Sequence, residues 1–294
     1  MNCRILVPLD GSATAEAVLP EVERVLVGGS TVHFVHVVPP LPMILDASSA
    51  EVMKVHDQAV SYLNGLRERL PEMRGLDLIR TGEPAEAILQ GALEFNIDLI
   101  AMTTHARIGL AKWFMGGVAE TVVRRAQVPV LLKRPDSPAP HAVLRRILVP
   151  LDGSEESLTI LPAVKRLALR TGAEIVLLHV TERGLSPLSQ RGGPGAPGIP
   201  EDPEQKLLAV ADRLGSSDLI YWQLIAHGDP VEEIRNHANM LDADLIAMST
   251  HARSGRERAS FGSVAQEVLG SAERTVLFQR PMVHAADLAR WRYL

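Results

Sequence analysis

The chain has little of several features on which many protein classes depend. One cysteine, Cys3, occurs in 294 residues, so no disulfide can form within the chain, and this fits a reducing compartment. Basic residues are not in excess, because 30 Lys and Arg stand against 35 Asp and Glu, and a net charge of −5 argues against a broad face for nucleic acid or anionic lipid. No apolar run approaches the roughly 20 residues that span a bilayer, and no signal peptide pattern precedes the first apolar segment. We therefore expect a cytoplasmic protein with no nucleic-acid partner and no membrane partner.

Familiar catalytic motifs are missing as well. The P-loop Gly-x-x-x-x-Gly-Lys-Ser/Thr, the nucleophile elbow Gly-x-Ser-x-Gly and the zinc motif His-Glu-x-x-His do not occur. No Gly-x-Gly-x-x-Gly follows the first predicted strand, which argues against a dinucleotide oxidoreductase. His105 and His251 have no Cys, His or acidic companions at metal-ligand spacing. These absences exclude only the families that use the motifs, and we assign no catalytic residue and no metal ligand.

Two blocks of sequence occur twice, in the same order. Arg4–Ser12 is identical to Arg146–Ser154, and Asp98–Arg107 recurs as Asp244–Arg253 with one change. A repeat of this length indicates a duplicated domain and not a short-period solenoid. The proline-rich segment at 136–140 is typical of a linker. We expect a first domain at 1–137, a linker at 138–142, a second domain at 143–283 and a C-terminal tail at 284–294.

Short apolar runs alternate with helical patterns in both halves. Runs such as Ile5–Leu9 and Val128–Leu132 are apolar throughout, which is typical of strands buried on both faces. Ala13–Val27 has the spacing of one helix, with Ser12 as its N-cap. The sequence predicts an α/β fold of two tandem doubly wound domains, each a five-stranded parallel sheet with helices on both faces. Ligands of such sheets bind beyond the carboxyl ends of the strands, where the winding direction switches.

The residues at these strand ends resemble those of the universal stress protein family. The first strand runs into Pro-Leu-Asp-Gly-Ser and the fourth into Thr-His-Ala-Arg, followed by a glycine at a helix start, in both halves. ATP-binding members of that family carry Gly, two residues, Gly, nine residues, then Gly and Ser or Thr. The spacing is kept here by Thr103, Ala106, Gly116 and Gly117 in the first half, and by Ser249, Ala252, Gly262 and Ser263 in the second. The resemblance implies a Rossmann-like fold of the adenine-nucleotide alpha-hydrolase type and a stress-response protein that binds ATP, with ADP or AMP left open.

A helix start forms the expected phosphate end of each site. Gly116 and Gly262 let the backbone approach a phosphate closely, and the spare amides of the helix beginning there attract an anion. Ser263 adds a hydroxyl that Gly117 lacks, so the second site is the favoured one. Alanine at the second motif position costs about 1–2 kcal/mol if the backbone there needs positive φ. That cost weakens binding by roughly one decade without abolishing it.

The opposite end of each site carries a carboxylate. Asp10 and Asp152 would repel phosphate, so a ribose hydroxyl or a bound Mg²⁺ is the expected partner of each. Taken singly, an Asp-Gly turn without any ligand explains these residues about equally well. By resemblance, the backbone at Val37 and Val180 holds the adenine edge. The rest of the set that the resemblance implies is Pro8, Met102 and Val118 in the first half and Pro150, Met248 and Val264 in the second.

Three functions compete at this point, and the leading one is a regulatory stress protein that holds ATP in one or both halves without rapid turnover. The others are a slow ATPase on the same fold and an interaction module whose pockets have lost nucleotide binding. The fifth strand ends each sheet and needs covering, and in the family it pairs with that of a partner domain. Thr275–Phe278 can supply this partner to Val128–Leu132, so we expect an intramolecular pseudo-dimer that is able to dimerise again.

Overall fold

The computed structural model describes residues 3–38, 49–104, 116–181, 207, 210, 214–215, 218–250, 262–271 and 273–281. The chain divides into two compact units between Pro140 and His141. The predicted tail at 284–294 lies outside the described residues. Within the described part, no helix combines the length and the apolarity that crossing a membrane requires.

The first unit alternates strands and helices around one parallel sheet. Its strand order is β3-β2-β1-β4-β5, and each neighbouring pair is parallel. The elements are β1 Arg4–Pro8, α1 Ala13–Glu16, α2 Leu19–Val25, β2 Thr31–Val38, α3 Ser49–Arg69, β3 Asp77–Thr81, α4 Pro84–Glu94, β4 Leu99–Thr103, α5 Gly117–Arg125 and β5 Val130–Lys133.

The second unit repeats this plan. Its strand order is β8-β7-β6-β9-β10, again with parallel neighbours throughout. The elements are β6 Arg146–Pro150, α6 Glu155–Leu158, α7 Leu161–Thr171, β7 Glu174–Thr181, β8 Tyr221–His227, α8 Pro230–Met240, β9 Leu245–Ser249, α9 Ser263–Ser271 and β10 Thr275–Gln279. The predicted fold class, two doubly wound α/β domains, is confirmed.

The central strands owe their place to their apolar side chains. Ile5, Leu6 and Val7 of β1 are all fully buried, and their copies in β6 are equally buried. Burial on both faces of a strand requires helices on both faces of the sheet, and right-handed crossovers place them there. In the first unit the chain moves outward from β1 to β2 and β3 and then returns to the other side of β1 for β4 and β5. The winding direction therefore reverses between β1 and β4.

The single helix expected over Ala13–Val27 is wrong, because two helices occupy that stretch. The helix α1 ends at Glu16 and α2 begins at Leu19, with Pro20 in the first turn of α2. A proline has no N–H to donate and its ring clashes with the carbonyl four residues earlier, so a continuous helix cannot pass through it. Pro162 divides α6 from α7 in the same way. The strand expected at Val128–Leu132 is also displaced, to Val130–Lys133, since Pro129 has no N–H for the ladder.

Candidate functional site

The reversal point of each sheet gathers the predicted residues at one edge. In the first unit, β1 and β4 are neighbours, with Ile5 opposite Leu99, so their carboxyl ends open side by side. Pro8 ends β1 and is followed by Asp10, whereas Met102 and Thr103 end β4 and are almost fully buried. The second unit places Pro150, Asp152, Met248 and Ser249 at the same edge of its sheet.

Each aspartate at the strand end is held in a tight turn. The Oδ1 atom of Asp10 accepts the backbone N–H of Ser12 at 2.9 Å and its hydroxyl at 2.6 Å. Ser12 in turn caps α1 by accepting the N–H of Ala15 at 3.1 Å. Gly11 between them has φ +85°, a conformation that glycine adopts without strain. Asp152, Gly153 and Ser154 repeat this geometry, so both halves present a pre-oriented carboxylate at the strand end.

Val37 and Val180 present backbone groups beyond the end of the central strand. The carbonyl of Val35 accepts the N–H of Leu9 at 2.9 Å, so residue 35 directs its backbone groups towards β1. Because the orientation repeats every second residue, Val37 faces the same side, where β1 has already ended. The bond from Leu151 to the carbonyl of Leu178, at 2.8 Å, places Val180 in the equivalent position.

The starts of α5 and α9 lie at the other side of the reversal point. Gly116 is the N-cap of α5 and makes no side-chain cap, and a methyl group built on Gly117 meets no atom within 4 Å. The first-turn amides of a helix have no acceptor in their own helix and favour an anion. One expectation needs correction, since the N–H of Gly262 is not spare: it donates to the carbonyl of Thr250 at 2.7 Å. The amides that α9 can offer are those of Ser263 and Val264.

A cavity of about 660 Å³, a volume that includes solvent-open space at its mouth, lies at this edge of the second unit. Among the predicted residues, those that line it are Pro150, Asp152, Val180, Met248, Ser249, Gly262 and Val264. Ser263 begins α9 beside the cavity without lining it, whereas Ala252 lies outside the described residues.

The counterparts in the first unit occupy equivalent elements. Pro8 and Asp10 follow β1, Val37 belongs to β2, Met102 and Thr103 to β4, and Gly116, Gly117 and Val118 to the start of α5. Ala106 lies outside the described residues, so the middle position of the glycine motif is not placed in either unit.

Sequence reasoning missed half of the cavity wall. The additional lining residues are Leu151, Ser157, Leu178, Pro230, Ile234, Thr250 and Ala265. Pro230 and Ile234 belong to the start of α8, which follows the edge strand β8 and is brought over the site only by the crossover to β9. Leu178 has a sequence signal, since it precedes Val180 by two residues in β7 and therefore shares its face.

The two sites differ in charge and polarity. Asp152 is the one ionisable residue lining the cavity of the second unit in the described part of the chain, and Ser157 gives it a hydroxyl where the first unit has Ala15. Near Asp10 in the first unit, the Tyr62 hydroxyl donates to Glu16 at 3.0 Å. Burial, followed by this bond to Glu16, raises the pKa of Tyr62 well above its ordinary value, so the phenol stays protonated and remains a donor. Among the described residues, no group of three His, Cys, Asp or Glu side chains is placed to hold a metal ion.

Comparison with known proteins agrees with this arrangement of strands. The model of the universal stress protein family matches the chain twice, over residues 1–134 and 144–280. A universal stress protein of Mycolicibacterium smegmatis is 23% identical over 294 residues, which cover 94% of this chain and 97% of that protein. One from Methanocaldococcus jannaschii is 28% identical over 138 residues, covering 45% of this chain and 80% of its own.

Solved structures agree at the level of the fold. The crystal structure of a universal stress protein from Archaeoglobus fulgidus matches with a TM-score of 0.71 and 19% identity, over 95% of this chain and 98% of that one. Because the family model covers both halves almost completely, this chain belongs to the universal stress protein family.

Proposed function

We propose that this stress protein binds an adenine nucleotide, ATP, in the cavity of its second unit and holds it without rapid turnover. The observation that supports this most directly is the cavity itself, which brings the strand-end aspartate, the exposed backbone of β7 and the start of α9 to one space. These three features are the ones that a ribose, a base edge and a phosphate chain require.

The phosphate chain belongs at the start of α9. Val264 lines the cavity there, and the first-turn amides of the helix and its positive dipole end favour an anion. Ser263 adds a hydroxyl donor to the same turn. Because the amide of Gly262 is occupied by Thr250, this site has one backbone donor fewer than the sequence predicts.

The nucleoside belongs at the opposite side of the cavity. Asp152 is pre-oriented by Ser154, through a backbone bond of 2.9 Å and a hydroxyl bond of 2.5 Å, and its carboxylate suits a ribose hydroxyl or a Mg²⁺ that accompanies the nucleotide. Val180 offers its backbone to the base edge, and Leu178, Ile234 and Met248 give the base an apolar slot. A bound ligand of this shape requires no catalytic group, which is why binding without rapid turnover is the function that we favour.

The test is isothermal titration calorimetry of the full chain, stripped of carried-over nucleotide, with ATP, ADP and AMP. We expect ATP to bind with a Kd in roughly the micromolar to millimolar range, and positive φ at the alanine of the middle motif position would account for about a decade of weakening. Gly262→Val should weaken binding by placing a branched side chain at the phosphate approach. Gly116→Val is the matched control, since it makes the same change in the first unit and should spare the second site.

Two outcomes would favour the competing functions. If millimolar ATP produces neither heat of binding nor a thermal shift, the protein does not bind the nucleotide, and an interaction module becomes the favoured function. Steady phosphate release that is lost in the Asp10→Ala, Asp152→Ala double variant would identify a slow ATPase instead.

The expected pairing of β5 with β10, and any further dimerisation, stays a prediction. Light scattering of the full chain measures the oligomeric mass. Deleting residues 284–294 then tests the tail as a dimer contact, and an unchanged mass would exclude it.

A further inference from the structure

The first unit contains a buried hydroxyl that its own fold does not use. Thr104 follows β4 directly and is fully buried, and its backbone N–H donates to the carbonyl of Lys133 at 2.9 Å. Its Oγ1 atom has no hydrogen-bond partner among the residues that the structure describes. A buried hydroxyl left without a partner destabilises a fold, and valine would fill the same space without that cost. The hydroxyl of Thr104 is therefore available to a partner that the described part of the chain does not supply.

The equivalent threonine of the second unit shows where a residue at this position lies relative to that unit's cavity. Thr250 donates its N–H to the carbonyl of Gln279 at 3.1 Å, the same backbone contact that Thr104 makes to Lys133. Thr250 lines the cavity together with Gly262, and the N–H of Gly262 donates to its carbonyl at 2.7 Å. The residue at this position thus stands against the start of the helix where the phosphate chain belongs.

Other hydroxyls cannot take this part in the first unit. The hydroxyl of Thr103 donates to the carbonyl of Ala15 at 3.3 Å. Gly117 has no side chain, although its counterpart in the second unit is Ser263. Among the described residues at the end of β4 and at the start of α5, Thr104 is the one that offers an unpartnered hydroxyl.

We propose that Thr104 is a ligand-binding residue, and that its hydroxyl donates to a phosphoryl oxygen of a nucleotide held in the first unit. This inference rests on the proposed function, because it places a second nucleotide at the equivalent sheet edge. It adds that the first unit also holds a nucleotide, and that this ligand must carry a phosphate. It further assigns the Thr104 hydroxyl as a hydrogen-bond donor that is not one of the four glycine-motif positions.

The test compares the stability and the affinity of one variant, using the full, nucleotide-stripped chain in a Gly262→Val background, in which the second site is expected to bind ATP more weakly. Thr104→Val should melt at the same temperature or higher, since it removes an unpartnered buried hydroxyl. It should also weaken ATP binding by about ten- to a hundredfold, the loss expected for one hydrogen bond to a charged group. Adenosine, which has no phosphate, should lose nothing. Thr104→Ser should restore ATP affinity, and Thr171→Val, which removes a hydroxyl bonded to Leu167, is the remote control.

Any of four results would overturn the inference. They are unchanged ATP affinity in Thr104→Val, an equal loss for adenosine, a lower melting temperature that reveals a partner within the fold, or no ATP binding at all in the Gly262→Val background. In the last case the parent chain separates the two proposals: if it binds ATP, the second site stands and only the role of Thr104 fails.

Discussion

A buried group of charges in the first unit allows a quantitative test of the fold. The Arg24 Nη2 atom lies 2.5 Å from the Glu21 Oε2 atom, and the Lys133 Nζ atom lies 3.7 Å from the Oε1 atom of the same carboxylate. All three side chains are at most 5% exposed. Lys133 also donates to the carbonyl of Pro138 at 2.9 Å, so it holds the chain that leaves β5. The second unit has no such charges at two of these places, because Ala163 and Gln279 replace the glutamate and the lysine.

The expected free energies follow from this contrast between the units. Glu21→Ala leaves two buried cations without this carboxylate, and the loss of one partner of a buried pair costs about 3–5 kcal/mol. Lys133→Gln should cost less, about 1–3 kcal/mol, because Glu21 keeps Arg24 and the new amide can still donate to a carbonyl. The double variant recreates the neutral pair of the second unit, so its loss should fall below that of Glu21→Ala alone. We expect a coupling free energy of at least about 1 kcal/mol between the two positions, because the double variant should lose less than Glu21→Ala alone.

Proton linkage gives the same prediction a pH signature. Burial lowers the pKa of the Lys133 ammonium below its ordinary value, and the Glu21 carboxylate opposes that shift. The folded protein therefore binds fewer protons than the unfolded chain between the lowered pKa and about 10.4, and its stability rises with pH in that window. Removing Glu21 lowers the pKa of Lys133 further. The free energy of unfolding of Glu21→Ala should therefore begin to rise at a lower pH than that of the parent chain. Lys133→Gln should abolish this rise.

Hydrogen exchange followed by mass spectrometry suits this test, because peptides from each unit report its opening free energy separately. In peptides from β1 and β2, the opening free energy should fall most in Glu21→Ala and less in Lys133→Gln and in the double variant. In peptides from β6 and β7 it should not change, so these peptides serve as the internal control. Additive losses in the double variant, with a coupling below about 0.5 kcal/mol, would refute the reasoning.

Two further predictions concern packing and acid stability. Gly75→Ala should destabilise the first unit, because its new Cβ would lie 2.0 Å from the carbonyl oxygen of Val32. Gly65→Ala lies inside α3, where a new methyl group meets no atom within 4 Å, and it should stabilise the unit by up to about 1 kcal/mol. Urea denaturation of the two variants compares their free energies of unfolding. Burial, followed by repulsion from Arg67, lowers the pKa of His33, so the folded state binds fewer protons and stability should fall as pH drops below about 6.5. His33→Gln should flatten that loss in melting curves from pH 7 to 5, and an unchanged slope would show that other groups govern it.

The fold could be predicted because its signals are local and repeated. Apolar strands such as Ile5–Leu9 need helices on both faces, and the copied blocks show that this occurs twice. Pro20 marks the break between α1 and α2. The apolar spacing of Ala13–Val27 nevertheless predicts one helix, because the spacing continues through the proline. Spacing indicates which face is buried, whereas continuity of the helix depends on whether each backbone carbonyl receives an N–H donor from four residues later.

The site was predictable only where it follows single strands. The aspartates and the ends of β4 and β9 lie beside a strand whose position the pattern reveals. Pro230 and Ile234 enter the wall through a crossover, which no local pattern encodes. The glycine motif predicts where the backbone can approach a phosphate, and it gives no indication of Thr250. The bond from the Gly262 amide to the Thr250 carbonyl depends on a contact between segments 12 residues apart, which the motif does not encode.

The two copies of the central strand have a consequence for how the chain reaches this structure. Arg4–Pro8 and Arg146–Pro150 are identical, and each pairs its first residue with the first residue of the strand that follows it. While the chain refolds, either copy fits between the neighbours of the other, and the misplaced strand buries the same atoms as the correct one. Only the connecting segments and the differing outer strands then distinguish the two arrangements, so we expect exchange of these strands to act as a kinetic trap during refolding.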